Sequence, residues 1–301
     1  IDTGVDGSHI DLNENHSLNV DFVYGELGDF VTGTHGSHVA GIAASDNPNI
    51  GVAYQADIYG LQVFTKSFDA NGKIELKAGY THQVKALQWV LDNHEDRNIK
   101  VVNLSLGGGN YATTPNAGRD QRPRLFRQLE AEGVTVVAAA GNRYGLHNLL
   151  YGGDAPNFGA NAGAPGIYST IVVGNVWEDF NPADVTHIYN GKPLNCTRYF
   201  VSREHWGDYQ CNKDWEADDI VYHSNRPRSS ANVVFAPGGN ITSTVPDLAE
   251  RKNKSKYEDK SGTSMASPMV AGVVALMQDA AVEFGGRPLQ PSEVLEIIRA
   301  T

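Results

Sequence analysis

The sequence predicts an α/β fold of three layers, a doubly wound and mostly parallel β-sheet with helices on both faces. Short apolar, β-branched runs alternate with helical stretches along the chain, which is typical of a parallel sheet covered by helices. Several of these runs end in glycine turns, as strands do where they leave such a sheet. The chain has 301 residues, 41% of them apolar, which is enough to bury a large core.

The predicted strands are short runs rich in Val, Ile and Leu. In chain order they are Leu18 to Val23, Ile58 to Val63, Ile99 to Leu106, Val134 to Ala140, Thr170 to Val176 and Asn232 to Ala236. Between them, Ala78 to Asn93 places most of its apolar residues on one helical stripe, and Leu125 to Glu132 is a second predicted helix. Ligands of open parallel sheets bind outside the carboxyl ends of the strands, so we expect a functional site at the glycine-rich exits.

The stretch from about Trp177 to Ser230 breaks this alternation. It carries three of the four tryptophans and both cysteines, without a clear helical or strand period. Because a strand run resumes at Asn232, we interpret the stretch as an insertion in a single domain of residues 1–301. Cys196 and Cys211 would close a loop of 16 residues, and in a secreted chain a disulfide there would contribute roughly 3 kcal/mol; two free buried thiols are the alternative.

The composition excludes several classes of protein. The apolar fraction is too high for a disordered chain. With 35 acidic against 24 basic residues and a net charge of −11, nucleic acid is not an expected partner. No apolar run approaches the roughly 18 residues of a membrane span, since the best candidate, Met269 to Met277, is about half that length. Two cysteines cannot make a disulfide framework.

The strongest local signal for chemistry is Gly262-Thr263-Ser264-Met265-Ala266-Ser267-Pro268, which leads into an apolar stretch. A serine at the start of a helix sits at the positive end of the helix dipole, which suits a nucleophile whose product is an oxyanion. Taken alone, the heptapeptide fits an ordinary N-cap serine equally well.

A serine nucleophile needs a base, and His35-Gly36-Ser37-His38 offers a histidine at the start of a small-residue helix. Two other interpretations stay open for this segment on its own. A solvated or core histidine is common, and His35 with His38 could be metal ligands one turn apart, although no further pair of ligands stands at zinc spacing.

Asp2 supplies the carboxylate that would fix the tautomer of the base, where a strand exits into the turn Asp2-Thr3-Gly4. Chain order then separates the hydrolase types. An α/β-hydrolase has its serine first and its histidine last, but no histidine follows Ser264. The order here is Asp2, His35, Ser264, which is the order found in subtilisin.

With these three segments in place, the chain resembles the subtilisin-like serine peptidases, the subtilase family or peptidase family S8. The similarity continues between the motifs, through Gly51-Val52-Ala53, Asn103 to Gly108 and Val134 to Asn142. It covers the chain apart from Asn110 to Arg124 and Trp177 to Ser230. Ser37 stands where the family usually has Thr, and Ile10 where it usually has Pro; both departures are mild.

The resemblance implies a serine endopeptidase that works through an acyl-enzyme, with Asp2, His35 and Ser264 as the catalytic residues. Asn142 matches the oxyanion asparagine, whose side chain would act with the backbone N–H of Ser264. Leu104, Ser105, Leu106, Gly107 and Gly108 match the segment that pairs with the substrate backbone, and Ala139, Ala140, Gly141 and Gly163 match the pocket for the residue before the scissile bond. These pocket residues are small, so a large apolar side chain is the expected preference at that position.

The resemblance also implies that catalysis needs no cofactor and that the partners are polypeptide substrates. Family members commonly bind structural calcium, and acid-rich loops such as Asp214 to Asp219 allow it here, but no ligand can be assigned. Asp2 is preceded only by Ile1, so we expect a catalytic domain truncated at its N-terminus. The rest of the first strand, a signal peptide and an inhibitory pro-segment that also aids folding would lie upstream, and the protein would be secreted.

Two other functions compete with this interpretation. The first is a catalytically silent binding module with the same fold, against which stands the retention of Asp2, His35, Asn142 and Ser264 together. The second and weaker one is a metal-dependent hydrolase. The role of the insertion stays open between a specificity exosite, a calcium-stabilised loop and a partner surface.

Overall fold

The structure is a computed structural model. It describes residues 1–24, 31–68, 71–72, 74–106, 120–142, 170–176, 224, 232–249 and 253–301, together with the backbone of four short strands between 187 and 212. The predicted site residues Gly107, Gly108 and Gly163 lie outside the described residues, as does Cys196. The side chain of Cys211 is not described either, so the disulfide stays a prediction.

Five helices are described. They are α1 (His35–Ala44), α2 (Tyr80–Asn93), α3 (Arg122–Ala131), α4 (Thr263–Gly285) and α5 (Pro291–Ala300). Helices α2 and α3 correspond to the two helices predicted between the strands. A proline occupies the first turn of α3 and of α5, where a missing N–H leaves no intrahelical hydrogen bond unmade.

Fourteen strands are described. They are β1 (His16–Asp21), β2 (Ile58–Gln62), β3 (Phe64–Phe68), β4 (Ile74–Ala78), β5 (Val101–Leu104), β6 (Thr135–Ala139), β7 (Ile171–Val176), β8 (His187–Tyr189), β9 (Lys192–Leu194), β10 (Arg198–Val201), β11 (Tyr209–Asn212), β12 (Val233–Pro237), β13 (Ile241–Thr244) and β14 (Tyr257–Lys260). The parallel pairings form a four-stranded sheet in the order β12-β7-β6-β5 and a two-stranded sheet of β1 and β2. The other pairs, β3-β4, β8-β9, β10-β11 and β13-β14, are antiparallel hairpins.

The first two residues join the two parallel sheets. The amide of Asp2 donates to the carbonyl of Leu61 at 2.9 Å, and the amino group of Ile1 donates to the carbonyl of Asn103 at 3.0 Å. Asp2 also forms a parallel bridge with Gln62. Residues 1 and 2 therefore occupy the strand position between β2 and β5, and Asp2 stands where this position opens at the carboxyl ends of the neighbouring strands.

Two apolar clusters show that helices cover both faces of the sheet. In the first, Leu87 of α2 and Phe126 of α3 pack with Val102 and Val136 of the strands. In the second, helices α4 and α5 pack with Val137 and other residues on the opposite face. This three-layer arrangement agrees with the predicted fold class.

Helix α4 is longer than the sequence predicts for any apolar segment, since its 23 residues reach the length of a membrane span. Within the part of the chain that the structure describes, α4 alone is long and apolar enough to cross a membrane by length and composition. Half of its most apolar window is buried inside the protein. A core helix can be as long and as apolar as a membrane-spanning one, and the burial of α4 agrees with its place in the second apolar cluster.

Candidate active site

The candidate catalytic residues gather at one edge of the sheet. Asp2 ends the strand position between β2 and β5, and Asn142 follows β6 after a glycine. His35 is the first residue of α1, and Ser264 is the second residue of α4. The topology thus places four residues from distant parts of the sequence at strand exits or helix starts, where the sequence predicts a site.

Asp2 and His35 are directly hydrogen-bonded. The Nδ1 atom of His35 lies 2.9 Å from each carboxylate oxygen of Asp2. Because a carboxylate can only accept, Nδ1 carries the proton and donates it, which leaves Nε2 as the basic nitrogen. The side chain of Asp2 is 7% exposed and that of His35 is 32% exposed. The carboxylate is therefore buried, while part of the imidazole faces the solvent.

A threonine next to Asp2 holds both partners in place. The amide of Thr3 donates to the Asp2 carboxylate at 2.7 Å, and the hydroxyl oxygen of Thr3 accepts the amide of Gly36 at 2.8 Å. A Cβ atom at Gly36 would collide with the carbonyl oxygen of Gly4. The glycine after His35 is thus needed for the helix start to approach the strand exit.

The pKa of His35 lies above its ordinary value of 6.5. Burial is the largest influence and lowers the pKa, but the charge of Asp2 and the hydrogen bond to it together raise the pKa by more, against a small opposing effect of Lys260. The carboxylate therefore stabilises the imidazolium, the form a general base takes after it has accepted a proton.

Ser264 is half-buried, and its hydroxyl donates to the carbonyl of Ser105 at 3.2 Å. Among the described residues, no hydrogen bond joins Ser264 to His35. Catalytic hydrogen bonds are often absent or long without substrate and form in the substrate complex. A proton transfer from this hydroxyl to Nε2 of His35 would require the hydroxyl to turn away from the Ser105 carbonyl first.

Asn142 is fixed through its carbonyl oxygen, and no hydrogen bond joins its amide nitrogen to another described residue. Its Oδ1 accepts the amide of Thr263 at 2.9 Å and the hydroxyl of Thr263 at 3.0 Å. That hydroxyl oxygen also accepts the amide of Gly141 at 3.0 Å. A Cβ at Gly262, whose φ is +154°, would lie 2.9 Å from Nδ2 of Asn142. Gly262 thus keeps the space around this donor open.

The described part of the expected substrate segment is buried. Leu104, Ser105 and Leu106 are 3%, 3% and 7% exposed, and Ala140 is fully buried. Of the expected pocket residues that are described, Gly141 exposes the most surface. The structure therefore brings the Ser105 backbone and Gly141 close to Ser264 and Asn142, whereas Ala140 contributes no exposed surface.

His38, which could have shared a metal with His35, makes different contacts. Its Nε2 donates to the carbonyls of Ile241 and Glu258 at 3.0 and 2.9 Å, and its Nδ1 is buried with no hydrogen-bond partner among the described residues. Burial is the largest influence and lowers the pKa of His38 to about 4. His38 therefore ties α1 to the β13-β14 hairpin, while His35 faces Asp2.

One group of side chains in the described residues could hold a metal ion. Ligand atoms of His94, Glu95 and Glu132 lie within 4.8 Å of one another, and His94 is buried. The imidazole is a poor ligand for calcium, which takes oxygen ligands. The group thus does not match the expected calcium site, and the acid-rich loop at 214–219 lies outside the described residues.

The structure adds three residues to the site that the sequence motifs do not assign a role: Thr263, Asn103 and Ser267. Thr263 holds Asn142, and Ser267 donates to the side chain of Asn103 at 2.6 Å. A signal for Asn103 was present, because it is an amide inside the apolar run Val101-Val102-Asn103-Leu104. A polar residue at such a position is buried only with hydrogen-bond partners.

The chain is similar to known proteins along its whole length. Residues 1–301 match the model of the Subtilase family, Peptidase_S8. The chain is 30% identical over 283 residues to subtilisin DY of Bacillus licheniformis, covering 92% of this chain and 74% of that protein. It is 29% identical over 282 residues to subtilisin NAT of Bacillus subtilis subsp. natto, of which it spans 54%, again with 92% of this chain covered.

A third relative and one solved structure extend the comparison. An intracellular serine protease of Paenibacillus polymyxa is 26% identical over 313 residues, covering all of this chain and 72% of that protein. The crystal structure of a cold adapted subtilisin-like serine proteinase superposes with a TM-score of 0.60 and 22% identity, covering 99% of this chain and 79% of that one. The structural likeness supports the fold.

Proposed function

Because the chain belongs to the subtilase family, we propose that it is a serine endopeptidase in which Asp2, His35 and Ser264 form the catalytic triad. The observation that carries this proposal is the buried Asp2 carboxylate on Nδ1 of a partly exposed His35. Within the described part of the chain, this leaves the basic nitrogen of His35 unpaired at the edge of the sheet where Ser264 lies in the first turn of a helix.

The proposed reaction is acyl transfer to Ser264. His35 accepts the proton of the Ser264 hydroxyl through Nε2 as the oxygen attacks the carbonyl of a peptide bond, and Asp2 stabilises the imidazolium. His35 then gives this proton to the departing amine. Water repeats the sequence on the acyl-enzyme, which releases the acid and regenerates the serine.

The oxyanion of the tetrahedral intermediate would be bound by Nδ2 of Asn142 and the backbone N–H of Ser264. Two contacts support this role for Asn142. Its Oδ1 accepts two hydrogen bonds from Thr263, so the amide is oriented with its donor side away from Thr263 and unpaired among the described residues. The Ser264 amide lies in the first turn of α4, where backbone N–H groups have no intrahelical acceptor. A preorganised pair of donors of this kind stabilises charge that develops only during the reaction.

Substrate would pair along residues 104–108, with the side chain before the scissile bond in a pocket of small residues. Leu104 to Leu106 lead from β5 directly to Ser264, since the Ser105 carbonyl accepts the Ser264 hydroxyl. An extended peptide is recognised at such a strand by its backbone. A large apolar residue before the scissile bond, with otherwise broad specificity, is the preference we propose.

Domain organisation, cellular location, a pro-segment and calcium binding are also part of the proposal. We propose one catalytic domain with an insertion at about 177–230, acting outside the cell on polypeptides, with a pro-segment as inhibitor and folding aid. One relative is named an intracellular serine protease, so family membership alone does not assign a compartment. We also propose that the protein binds structural calcium, but we assign no residue as a ligand.

The experiment that tests the function is hydrolysis of a fluorogenic peptide with Phe or Leu before the scissile bond. The wild-type protein is compared with Ser264→Ala, and each is assayed in EDTA and in a calcium-supplemented buffer. We expect turnover by the wild type and none above background by the variant. Equal background rates for both would indicate a silent binding module, and turnover that persists in Ser264→Ala but is lost with EDTA would indicate a metal-dependent hydrolase.

A further inference from the structure

The proline in Gly262 to Pro268 removes a backbone hydrogen bond from the nucleophile. In an α-helix the carbonyl of residue 264 accepts the N–H of residue 268. Pro268 lies inside α4 and has no N–H, and a proline ring also pushes against the carbonyl four residues earlier. The carbonyl of Ser264 therefore needs a donor from outside the helix.

Ser105 supplies that donor. Its hydroxyl donates to the carbonyl oxygen of Ser264 at 2.8 Å, across 159 residues of sequence. Ser105 is 3% exposed, so its hydroxyl has little access to water. The bond made by this side chain thus replaces the helical bond that Pro268 cannot make.

Two further bonds fix the orientation of Ser105. Its hydroxyl oxygen accepts Nδ2 of Asn103 at 2.9 Å, and Oδ1 of Asn103 accepts the hydroxyl of Ser267 at 2.6 Å. All the donors point the same way, from Ser267 through Asn103 and Ser105 to the carbonyl of Ser264. Hydrogen bonds aligned in one direction polarise one another and strengthen the chain.

We propose that Ser105 is a positioning residue, which holds the backbone of Ser264 in its reactive orientation by replacing the helical donor that Pro268 lacks. This role rests on the proposed function of Ser264 as the nucleophile. It also links two parts of the site, because the backbone of Ser105 belongs to the segment proposed to pair with substrate and its side chain holds the nucleophile.

The test compares Ser105→Ala with a variant that restores the missing donor. Ser105→Ala leaves the Ser264 carbonyl without a partner, and we expect kcat on the fluorogenic peptide to fall about tenfold with little change in KM. Pro268→Ala returns an N–H to position 268. The double variant Ser105→Ala/Pro268→Ala is therefore expected to regain kcat to within about threefold of Pro268→Ala alone.

Three controls make the result specific. Ser67→Ala removes an exposed serine hydroxyl of β3 and is expected to leave kcat unchanged. Ser105→Thr keeps the hydroxyl and is expected to stay within about threefold of the wild type, which tests the role even where Pro268→Ala does not fold. The acid limb of the pH profile is expected to be the same in every variant, because His35 is not part of this chain of bonds.

The outcomes separate this role from the proposed function. An active wild type with unchanged kcat in Ser105→Ala would overturn the positioning role and leave the serine peptidase intact. If kcat falls in Ser105→Thr as it does in Ser105→Ala, Ser105 has a general structural role instead. The same conclusion follows if kcat falls in Pro268→Ala and is not restored in the double variant. A wild type without turnover would overturn the peptidase assignment and the positioning role with it.

Discussion

Lowering the pH should destabilise this protein through His38. This histidine is fully buried, donates through Nε2 to two backbone carbonyls, and has no hydrogen-bond partner at Nδ1 in the part of the chain that the structure describes. Burial is the main reason that its pKa falls to about 4, and the nearby positive charge of Lys260 lowers the pKa further. The folded protein therefore holds His38 neutral at a pH where the unfolded chain would protonate it.

The size of the effect follows from the two pKa values. The ordinary value is 6.5 and the folded value about 4, and each pH unit between them is worth about 1.4 kcal/mol for one proton. Keeping His38 neutral therefore makes a pH-dependent contribution of about 3 kcal/mol to the free energy of unfolding. Because the folded-state pKa is depressed, this contribution is fully present above pH 6.5 and is lost as the pH falls toward 4. By pH 5 about 2 kcal/mol of it should be gone.

The assay is urea unfolding of Ser264→Ala, which prevents self-digestion, at a series of pH values from about 8 to 4. It is repeated with His38→Gln in the same background, since glutamine keeps an amide donor but does not titrate. The pKa of His35 is raised, so its own contribution to stability has the opposite pH dependence, but His35 titrates in both proteins. The comparison therefore isolates His38 together with the lowering of its pKa by the charge of His35. We expect the stability advantage of the histidine over the glutamine at this position to shrink by about 2 kcal/mol between pH 8 and pH 5. Parallel curves for the two proteins would refute the reasoning.

Four further predictions concern catalysis. Asn142→Asp keeps the acceptor for Thr263 but loses the Nδ2 donor, so kcat should fall about 100- to 1,000-fold with KM nearly constant. This magnitude is the one known for removing an oxyanion-hole donor from a subtilisin. Gly262→Ala should lower kcat in the same direction, because its Cβ would lie 2.9 Å from Nδ2 of Asn142; wild-type kcat in either variant would count against the oxyanion role. The acid limb of kcat/KM should lie above pH 6.5, since the pKa of His35 is raised. Asp2→Asn should lower kcat by about 10,000-fold and move that limb to lower pH; an activity plateau down to about pH 4 would exclude His35 as the base.

Much of the parallel sheet was predictable because its strands are continuous apolar runs between glycine turns. The described strands β6 and β7 lie within the predicted runs Val134 to Ala140 and Thr170 to Val176. Strand β5 is shorter than its run, because the chain turns at Asn98, whose φ is +49°, and leaves the ladder at Ser105. Burial on both faces produces the apolar pattern, so buried strands are the ones that a sequence reveals.

The antiparallel hairpins were not predicted, because their strands carry little apolar periodicity. Strand β4 is mostly exposed, and β13 and β14 read Ile-Thr-Ser-Thr and Tyr-Glu-Asp-Lys. Their pairing is fixed by contacts from elsewhere. The hydroxyl of Ser243 donates to the backbone of His38 at 2.8 Å. Such long-range bonds leave no local trace in a sequence.

The same distinction applies to the candidate site. Asp2, His35, Asn142 and Ser264 stand in local motifs that could be interpreted one at a time, and the chain order related them. The bond from Ser105 to the carbonyl of Ser264 could not be predicted in this way, since it depends on how the end of β5 lies against the first turn of α4. Pro268 was visible in the motif, but the residue that compensates for its missing N–H was not.

The most direct test of the central claim is labelling with a fluorophosphonate followed by mass spectrometry of the digested protein. The probe reacts rapidly with a serine that a neighbouring base activates, so it reports the nucleophile and its base together. We expect one adduct per chain, located on Ser264, formed at a rate that falls as the pH drops through the pKa of His35, and absent from both Ser264→Ala and His35→Ala. An intact wild-type protein that forms no adduct, or one that carries it on another residue, would contradict the assignment.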